Sequence, residues 1–156
     1  VIASDPGVSA QSMVAVGVRK VEMEEVFEQS DIISIHAPEL PSTYHIVNEA
    51  SIASMKDGVI LINTARGTAI DEQALAKALL SGKIKTACLD VYDPEPPCAD
   101  NPLLKLDNCI MTPHIAGQAA NGLQRIGYNC YCQLLHFLAG ERMQGEITRD
   151  MLNHIA

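Results

Sequence analysis

Three short polar segments of this chain each follow an apolar, strand-like run, and together they supply an arginine, a carboxylate and a histidine. They are residues 63–67 with Arg66, residues 90–96 with Glu95, and residues 112–117 with His114. Neighbouring parallel strands of an open α/β sheet point their carboxyl ends into one crevice, where such folds bind ligands. A guanidinium can bind a carboxylate through two parallel hydrogen bonds, and a histidine beside a carboxylate can move a proton. These groups are therefore parts that could bind a carboxylate and move a proton beside it.

Composition and charge limit the class of protein. With 156 residues, 47% of them hydrophobic, the chain suits one domain with a buried core. The formal net charge of −8 argues against a nucleic-acid partner, because binding nucleic acid requires a basic surface. No apolar run approaches the roughly 20 residues that a membrane helix requires, and no signal peptide is visible. We therefore expect a cytoplasmic protein with no membrane partner.

The cysteines show neither CxxC nor histidine–cysteine ligand spacing. They are Cys88, Cys98, Cys109, Cys130 and Cys132. Structural zinc sites use closely spaced ligand pairs, and an odd number of cysteines does not suit a disulfide framework. We therefore predict free thiols in a reducing compartment and no metal site.

Apolar runs alternate with helical patterns along the chain. Strands are predicted at residues 1–5, 31–36, 58–62, 86–91 and 109–112, with a short one within 14–21. Helices are predicted at residues 22–29, 49–55, 71–82 and 118–139, with another short one from Thr148. Such alternation is typical of a mostly parallel sheet whose two faces are covered by helices. The predicted fold is therefore α/β.

Several of these residues have simpler interpretations when they are taken alone. An arginine at a strand end commonly forms a loop ion pair, and Asp5 with the following Pro-Gly makes an ordinary turn. We interpret His36 as flanking a strand that Pro38 ends, and we assign no role to Asp93. The remaining histidines are interpreted as surface or packing residues; they are His45, His136 and His154.

The three polar segments in combination resemble the D-isomer-specific 2-hydroxyacid dehydrogenases, and the similarity extends to about residue 140. The resemblance implies that Arg66, Glu95 and His114 are catalytic. Arg66 would hold the substrate carboxylate. Glu95 would favour the imidazolium form of His114, which acts as general acid in reduction and general base in oxidation. The implied reaction is hydride transfer between NAD and a small 2-keto or 2-hydroxy acid. The implied full-length form is a homodimer.

The resemblance also implies a set of contacts with NAD. Asp5 would accept hydrogen bonds from the adenosine ribose and repel the extra phosphate of NADP. The backbone of Ala37 and Pro38 would face the adenosine side, and Asp90 the nicotinamide carboxamide. The remaining implied contacts are Thr64, Ala65, Arg66, His114, Ala116 and Gly117. A second function remains open: an NAD(H)-sensing regulator, like the co-repressors related to this family, keeps similar site residues.

The chain departs from the family at its front, because no Gly-x-Gly occurs anywhere in it. The family places a strand and a Gly-x-Gly-x-x-Gly turn, which holds the pyrophosphate, before the segment that begins here at Val1. We therefore expect an incomplete doubly wound, Rossmann-like sheet in which the first βα unit is absent. The strand at 1–5 would lack its central neighbour, and the strand at 31–36 would become an edge.

This departure shapes the expected domains and activity. Residues 1–140 would form a partial nucleotide-binding domain, and residues 141–156 would lead to a missing substrate lobe. Full activity would require the missing N-terminal part, so the isolated chain should be inactive, bind NAD weakly and self-associate or rearrange its beginning. The last predicted long helix carries more apolar surface than one core-facing stripe needs, so only part of it should pack on the sheet.

Overall fold

A computed structural model describes residues 1–118, 121–149 and 151. Within this part of the chain the strands form two parallel sheets. The first sheet pairs β1 (Ile2–Ala3) with β2 (Arg19–Lys20). The second has the order β3-β4-β5-β6, made of Ile32–Ile35, Val59–Asn63, Ile84–Leu89 and Cys109–Met111. The predicted α/β class, with parallel sheets flanked by helices, is confirmed.

The division into two sheets falls where the central strand was expected to be missing. β1 pairs with β2 alone in the described residues, and β3 is an edge strand of the larger sheet. Ile32 on that edge is 59% exposed, whereas Ile33 and Ile35 point into the core. The predicted edge at this strand is therefore confirmed.

Local capping signals account for most of the helices. They are α1 (Ala10–Ala15), α2 (Met23–Gln29), α3 (Glu49–Ser54), α4 (Glu72–Ser81) and α5 (Gly122–Leu138). Asn48 caps α3 through a reciprocal pair of bonds with Ser51, and Asp71 accepts from the first amides of α4. Gly82 ends α4 with φ of 78°, the left-handed conformation that glycine adopts freely.

The structure departs from the predicted elements at several places, and the strand predicted at 1–5 is limited to Ile2–Ala3. The short strand expected within 14–21 is limited to Arg19–Lys20, because Ser9 caps the unpredicted helix α1 by accepting from the Ser12 amide. Short 3₁₀ turns also form at Gly67–Ala69, Pro102–Lys105 and Ala116–Gln118. Most of the helix expected from Thr148 onward lies outside the described residues.

The core lies between the larger sheet and the helices that pack on it. Its fully buried side chains include Val47, Val59, Leu61, Leu75, Ile84 and Leu103. They come from β4, α4, β5 and the 3₁₀ turn at Pro102–Lys105, together with the segment before α3. These elements carry the loops at the carboxyl ends of β4, β5 and β6, so the core fixes where those loops begin.

Helix α5 packs less than expected. None of its residues is buried, and its main neighbour is the turn Ala116–Gln118 rather than the sheet. The four apolar residues near its end are exposed, as expected; they are Leu134, Leu135, Phe137 and Leu138. The expectation that its earlier turns pack on the sheet was wrong, because none of their side chains is buried and the main neighbour of the helix is that turn. No helix in the described part of the chain is both long and apolar enough to cross a membrane.

Candidate active site

The loops that follow β4, β5 and β6 meet at one edge of the larger sheet. The Asp90 amide donates to the Asn63 carbonyl at 2.9 Å, and the Thr112 amide donates to the Leu89 carbonyl at 2.9 Å. These bonds continue the parallel ladder one step past the strands. The three polar segments singled out in the sequence are therefore adjacent in space.

Glu95 and His114 form a direct pair at this edge. His114 Nδ1 lies 2.8 Å from Glu95 Oε2, and Glu95 Oε1 accepts from the Tyr92 amide at 3.0 Å. The bond from His114 lowers the pKa of Glu95, with the Tyr92 amide assisting and partial burial opposing. Glu95 therefore stays ionised beside the ring of His114. The His114 side chain is 54% exposed, which leaves its ring open to a ligand.

The backbone of His114 lies in the left-handed region, with φ of 53°. Residues other than glycine adopt this region infrequently, so the surrounding contacts must hold it there. The His114 amide donates to the Thr112 carbonyl at 3.0 Å, which makes a tight turn directly after β6. This turn, together with the bond to Glu95, sets the direction of the ring.

Asp90 is a buried carboxylate whose bonds shape the segment after His114. It is 3% exposed and accepts from the Thr112 hydroxyl at 2.5 Å and from the amides of Ile115 and Ala116 at 2.9 and 2.8 Å. Burial would raise the pKa of Asp90, but the hydrogen bonds from Thr112, Ala116 and Ile115 outweigh it and lower the pKa. Both of its oxygens are thus used in fixing residues 112–116.

The Tyr92 side chain connects the end of β5 to the end of β6. Its hydroxyl donates towards the carbonyls of Thr112 at 2.6 Å and Leu89 at 3.0 Å, and burial raises its pKa. The side chain is 8% exposed. Tyr92 therefore holds the loop of Glu95 against the loop of His114.

Arg66 lies on the loop after β4, which the buried side chain of Asn63 shapes. Asn63 is fully buried, accepts from the Ala65 amide at 3.0 Å and donates to the Arg66 carbonyl at 2.8 Å. Arg66 itself is half-buried, and its Nη1 donates to the Ala65 carbonyl at 2.7 Å. In the described residues no hydrogen bond or ion pair joins it to Glu95 or His114.

Gly67 follows Arg66 and packs closely on another loop. A glycine beside a candidate binding residue can let the backbone approach a ligand. A Cβ built at this position would instead lie 1.9 Å from the Tyr92 carbonyl oxygen. The close approach is therefore between two loops of the site, and it places the Arg66 loop against the Glu95 loop.

The cofactor contacts implied by the resemblance are spread more widely. Asp5 is exposed, lies two residues after β1 of the smaller sheet, and accepts from the Gly7 amide at 2.7 Å, as the simple turn interpretation requires. Ala37 and Pro38 are half-buried after β3, and Ala37 packs against the core. Thr64, Ala116 and Gly117 are exposed, and Ala65 is half-buried. The structure thus brings Asp90, Glu95 and His114 together and leaves Asp5 apart from them.

A cleft lies beside the Glu95–His114 pair. Its volume is about 470 Å³, and it is lined by Tyr92, Glu95, Pro96, Pro97, Leu104, Met111, Thr112, Pro113 and His114. Most of these side chains are apolar, so the imidazole lies at the boundary between an apolar surface and solvent. Such a boundary suits a reacting group that must exchange a proton beside a partly apolar ligand.

The histidines outside the site have local partners. His36 Nε2 lies 2.9 Å from the Ser34 hydroxyl, His45 stacks on Tyr44 with ring centres 3.9 Å apart, and His136 pairs with Glu141 at 2.6 Å. His154 lies outside the described residues. The described residues contain no group of three or more potential metal-ligating side chains. The cysteines are free thiols, and burial raises the pKa of Cys109 to about 11.

The arrangement fits one end of a dinucleotide. The exposed residues at 64 and 115–117 and the apolar cleft suit a flat ring beside His114. The amides of Ile115 and Ala116 are already bound to Asp90, so they are not free to hold a phosphate. Among the expected cofactor residues, those at this edge therefore fit the nicotinamide end.

Sequence reasoning missed several residues that position the site. Asn63, Glu72 and Thr112 each hold a loop through side-chain hydrogen bonds, and Tyr92 does so through its hydroxyl. An asparagine directly after a buried strand is a recognisable signal for a side-chain turn. The bonds of Glu72 and Thr112 reach 21 to 29 residues along the chain, and no local pattern predicts such partners.

Comparison with known proteins gives consistent matches. The family model described as "D-isomer specific 2-hydroxyacid dehydrogenase, NAD binding domain" matches residues 1–116. A hydroxypyruvate reductase of Thermotoga maritima is 46% identical over 129 residues, which cover 81% of this chain and 41% of that protein. The structure of a D-lactate dehydrogenase from Treponema pallidum matches with a TM-score of 0.79 at 35% identity, covering 95% of this chain and 48% of that one.

A further solved structure is the NAD-complexed form of a D-isomer specific 2-hydroxyacid dehydrogenase from Lactobacillus delbrueckii ssp. bulgaricus. It matches with a TM-score of 0.82 at 29% identity and covers 95% of this chain and 48% of that one. The chain therefore spans less than half the length of each of these three relatives.

Proposed function

The chain belongs to the D-isomer-specific 2-hydroxyacid dehydrogenase family, as its NAD-binding domain, and we propose that it is the cofactor-binding and catalytic portion of such an enzyme. NAD is the cofactor of this domain family. The proposed reaction interconverts a small 2-keto acid and its 2-hydroxy acid. Full activity would require elements outside these 156 residues, so the isolated chain would be inactive.

The observation that carries the proposal is the Glu95–His114 pair at the carboxyl edge of the sheet, with Nδ1 and Oε2 2.8 Å apart. NAD, when bound, would supply the hydride chemistry at the substrate C2 atom. His114 donates a proton to the carbonyl oxygen in reduction and removes the hydroxyl proton in oxidation. Glu95 remains ionised beside it and stabilises the imidazolium form.

The other residues of the site bind and orient. Arg66 presents a guanidinium at the end of the neighbouring strand, where it would hold the substrate carboxylate through two hydrogen bonds. Asp90 fixes the backbone after His114 against which the nicotinamide would lie. Asp5 would hold the adenosine ribose, which requires the smaller sheet to face the same ligand.

The setting of the enzyme is part of the same proposal. Residues 1–140 would form the nucleotide-binding domain, and residues 141–156 would lead to the substrate lobe. The full-length protein would be a cytoplasmic homodimer with no nucleic-acid or membrane partner, consistent with its acidic charge.

The test is turnover of the full-length protein with NADH and a panel of 2-keto acids. We expect activity with at least one of them and a loss of roughly 10²- to 10⁴-fold in His114→Ala, the usual range for a missing general acid. NADH affinity should change little. His136→Ala is a matched control, since His136 also pairs with a carboxylate at 2.6 Å but lies far along α5. Equal activity of the two variants would refute the assignment.

A further inference from the structure

Glu72 connects the helix after the Arg66 loop to the loop that carries Glu95. It is the first residue of α4, and both of its carboxylate oxygens accept hydrogen bonds from that loop. Oε1 accepts from the Asp93 amide at 3.1 Å, and Oε2 accepts from the Asn101 side-chain amide at 2.5 Å. One carboxylate thus holds both ends of residues 93–101.

The far end of this loop is fixed in the core. Asn101 is 8% exposed, its amide donates to the Cys98 carbonyl at 2.9 Å, and its Oδ1 accepts from the Leu103 amide at 3.0 Å. Leu103 is fully buried. Through Asn101, Glu72 therefore connects the loop to a part of the chain that cannot move easily.

The near end of the loop leads directly to the catalytic pair. Asp93 follows Tyr92, whose amide donates to Glu95 at 3.0 Å. Residues 93–96 are exposed, so few packing contacts of their own hold Glu95 in place. A small displacement of this segment would lengthen the bond between Glu95 and His114.

We propose that Glu72 is a positioning residue for the Glu95–His114 pair. It holds the loop of residues 93–101 so that Glu95 stays within hydrogen-bond distance of His114. This inference rests on the proposed function. Glu72 touches no reacting group, and it acts through Glu95.

The chemistry of the two donors makes the idea testable. A carboxylate only accepts hydrogen bonds, and here it faces two N–H donors. In Glu72→Gln one oxygen becomes an NH₂ group, which must face one of those donors without a bond. In the double variant Glu72→Gln/Asn101→Asp, the new amide donates to the new carboxylate, and the other aspartate oxygen still accepts from Leu103. The hydrogen bond between residues 72 and 101 is then restored, with donor and acceptor exchanged.

The experiment compares these variants in the full-length protein. We expect kcat with a 2-keto acid to fall about 10- to 100-fold in Glu72→Gln, since displacements of about 1 Å have effects of this size. KM and NADH affinity should stay within about twofold, because Arg66 and the cofactor contacts are unchanged. The alkaline limb of the pH–rate profile should move to lower pH, because Glu95 then stabilises the imidazolium less.

The double variant should recover most of the lost kcat and the original pH limb. Glu49→Gln is the control, since Glu49 is likewise the first residue of a helix and is exposed. It should leave kcat and the profile unchanged. In Glu95→Gln protein, adding Glu72→Gln should produce no further movement of the pH limb, because the two residues act in series.

A measurement of loop order separates failure of this inference from failure of the proposed function. Hydrogen–deuterium exchange of residues 92–101 should accelerate in Glu72→Gln and return towards the original rate in the double variant. Unchanged exchange and kinetics in Glu72→Gln would overturn the inference, and so would a folded double variant without recovery. If Glu72→Gln does not fold, recovery in the double variant supports the inference and its absence overturns it. If the protein reduces no 2-keto acid, the proposed function fails. The hydrogen–deuterium exchange of residues 92–101 then decides by itself whether Glu72 holds the loop.

Discussion

Replacing Gly67 with alanine should separate the two loops on which the site depends. The new Cβ would lie 1.9 Å from the Tyr92 carbonyl oxygen, 2.0 Å from its carbonyl carbon and 2.7 Å from its Cα. All three are backbone atoms, so no flexible side chain can turn away. Tyr92 is itself held by hydrogen bonds to Leu89, Thr112 and Glu95. The strain must therefore be relieved by moving a loop.

The magnitude follows from the size of the overlap. Adding atoms to a packed interior costs about 1–3 kcal/mol, and a backbone overlap of this depth should reach the upper end of that range. For a domain of this size, about 3 kcal/mol lowers the melting temperature by roughly 6–12 °C. A shift of Arg66 by about 1 Å relative to His114 should also reduce kcat/KM by about 10²-fold.

Thermal unfolding and steady-state kinetics of the full-length protein check both effects. Gly127→Ala is the control, because that glycine lies within α5 and a Cβ there meets nothing within 4 Å. Gly127→Ala should leave the free energy of unfolding unchanged or raise it by about 0.5–1 kcal/mol. The reasoning is refuted if Gly67→Ala melts within about 2 °C of the original protein and retains its kcat/KM, given that 1 kcal/mol corresponds to about 2–4 °C or more.

Three further predictions concern charge. Glu95→Gln should move the alkaline limb of the pH–rate profile for reduction to lower pH, because the imidazolium of His114 loses its charged partner; an unchanged profile would contradict the pairing. The folded-state pKa of Asp90 is below its ordinary 3.8, so its contribution to stability is present above that pH and is lost as pH falls through the lower value. Asp90→Asn should therefore lower the free energy of unfolding, measured in urea, by about 1–3 kcal/mol at pH 7. The decrease of this free energy on going to acidic pH should also be smaller in the variant than in the original protein, and an equal decrease would exclude Asp90 as its source. Full-length protein should bind NADH more tightly than NADPH in fluorescence titrations, and equal affinities would remove Asp5 from the ribose role.

Much of the fold could be predicted because its signals are local. The apolar runs at 58–62, 86–91 and 109–112 predicted parallel strands, which the structure places at Val59–Asn63, Ile84–Leu89 and Cys109–Met111. The capping residues Asn48 and Asp71 marked two helix starts. Helix α1 was missed because it is short and its cap, Ser9, follows a turn-like segment without an apolar period. Helix α5 was predicted, but its packing was not, since an apolar stripe does not specify which surface will cover it.

By itself, the sequence determined which side chains would reach the crevice, because consecutive parallel strands place their carboxyl ends at the same edge. Only the tertiary structure decided how those side chains are held. The carboxylate of Asp90 binds the backbone after His114, Gly67 packs on Tyr92, and Glu72 reaches Asn101 across 29 residues. Strand ends follow from patterns a few residues long, whereas these contacts join segments that become neighbours only after the sheet has formed.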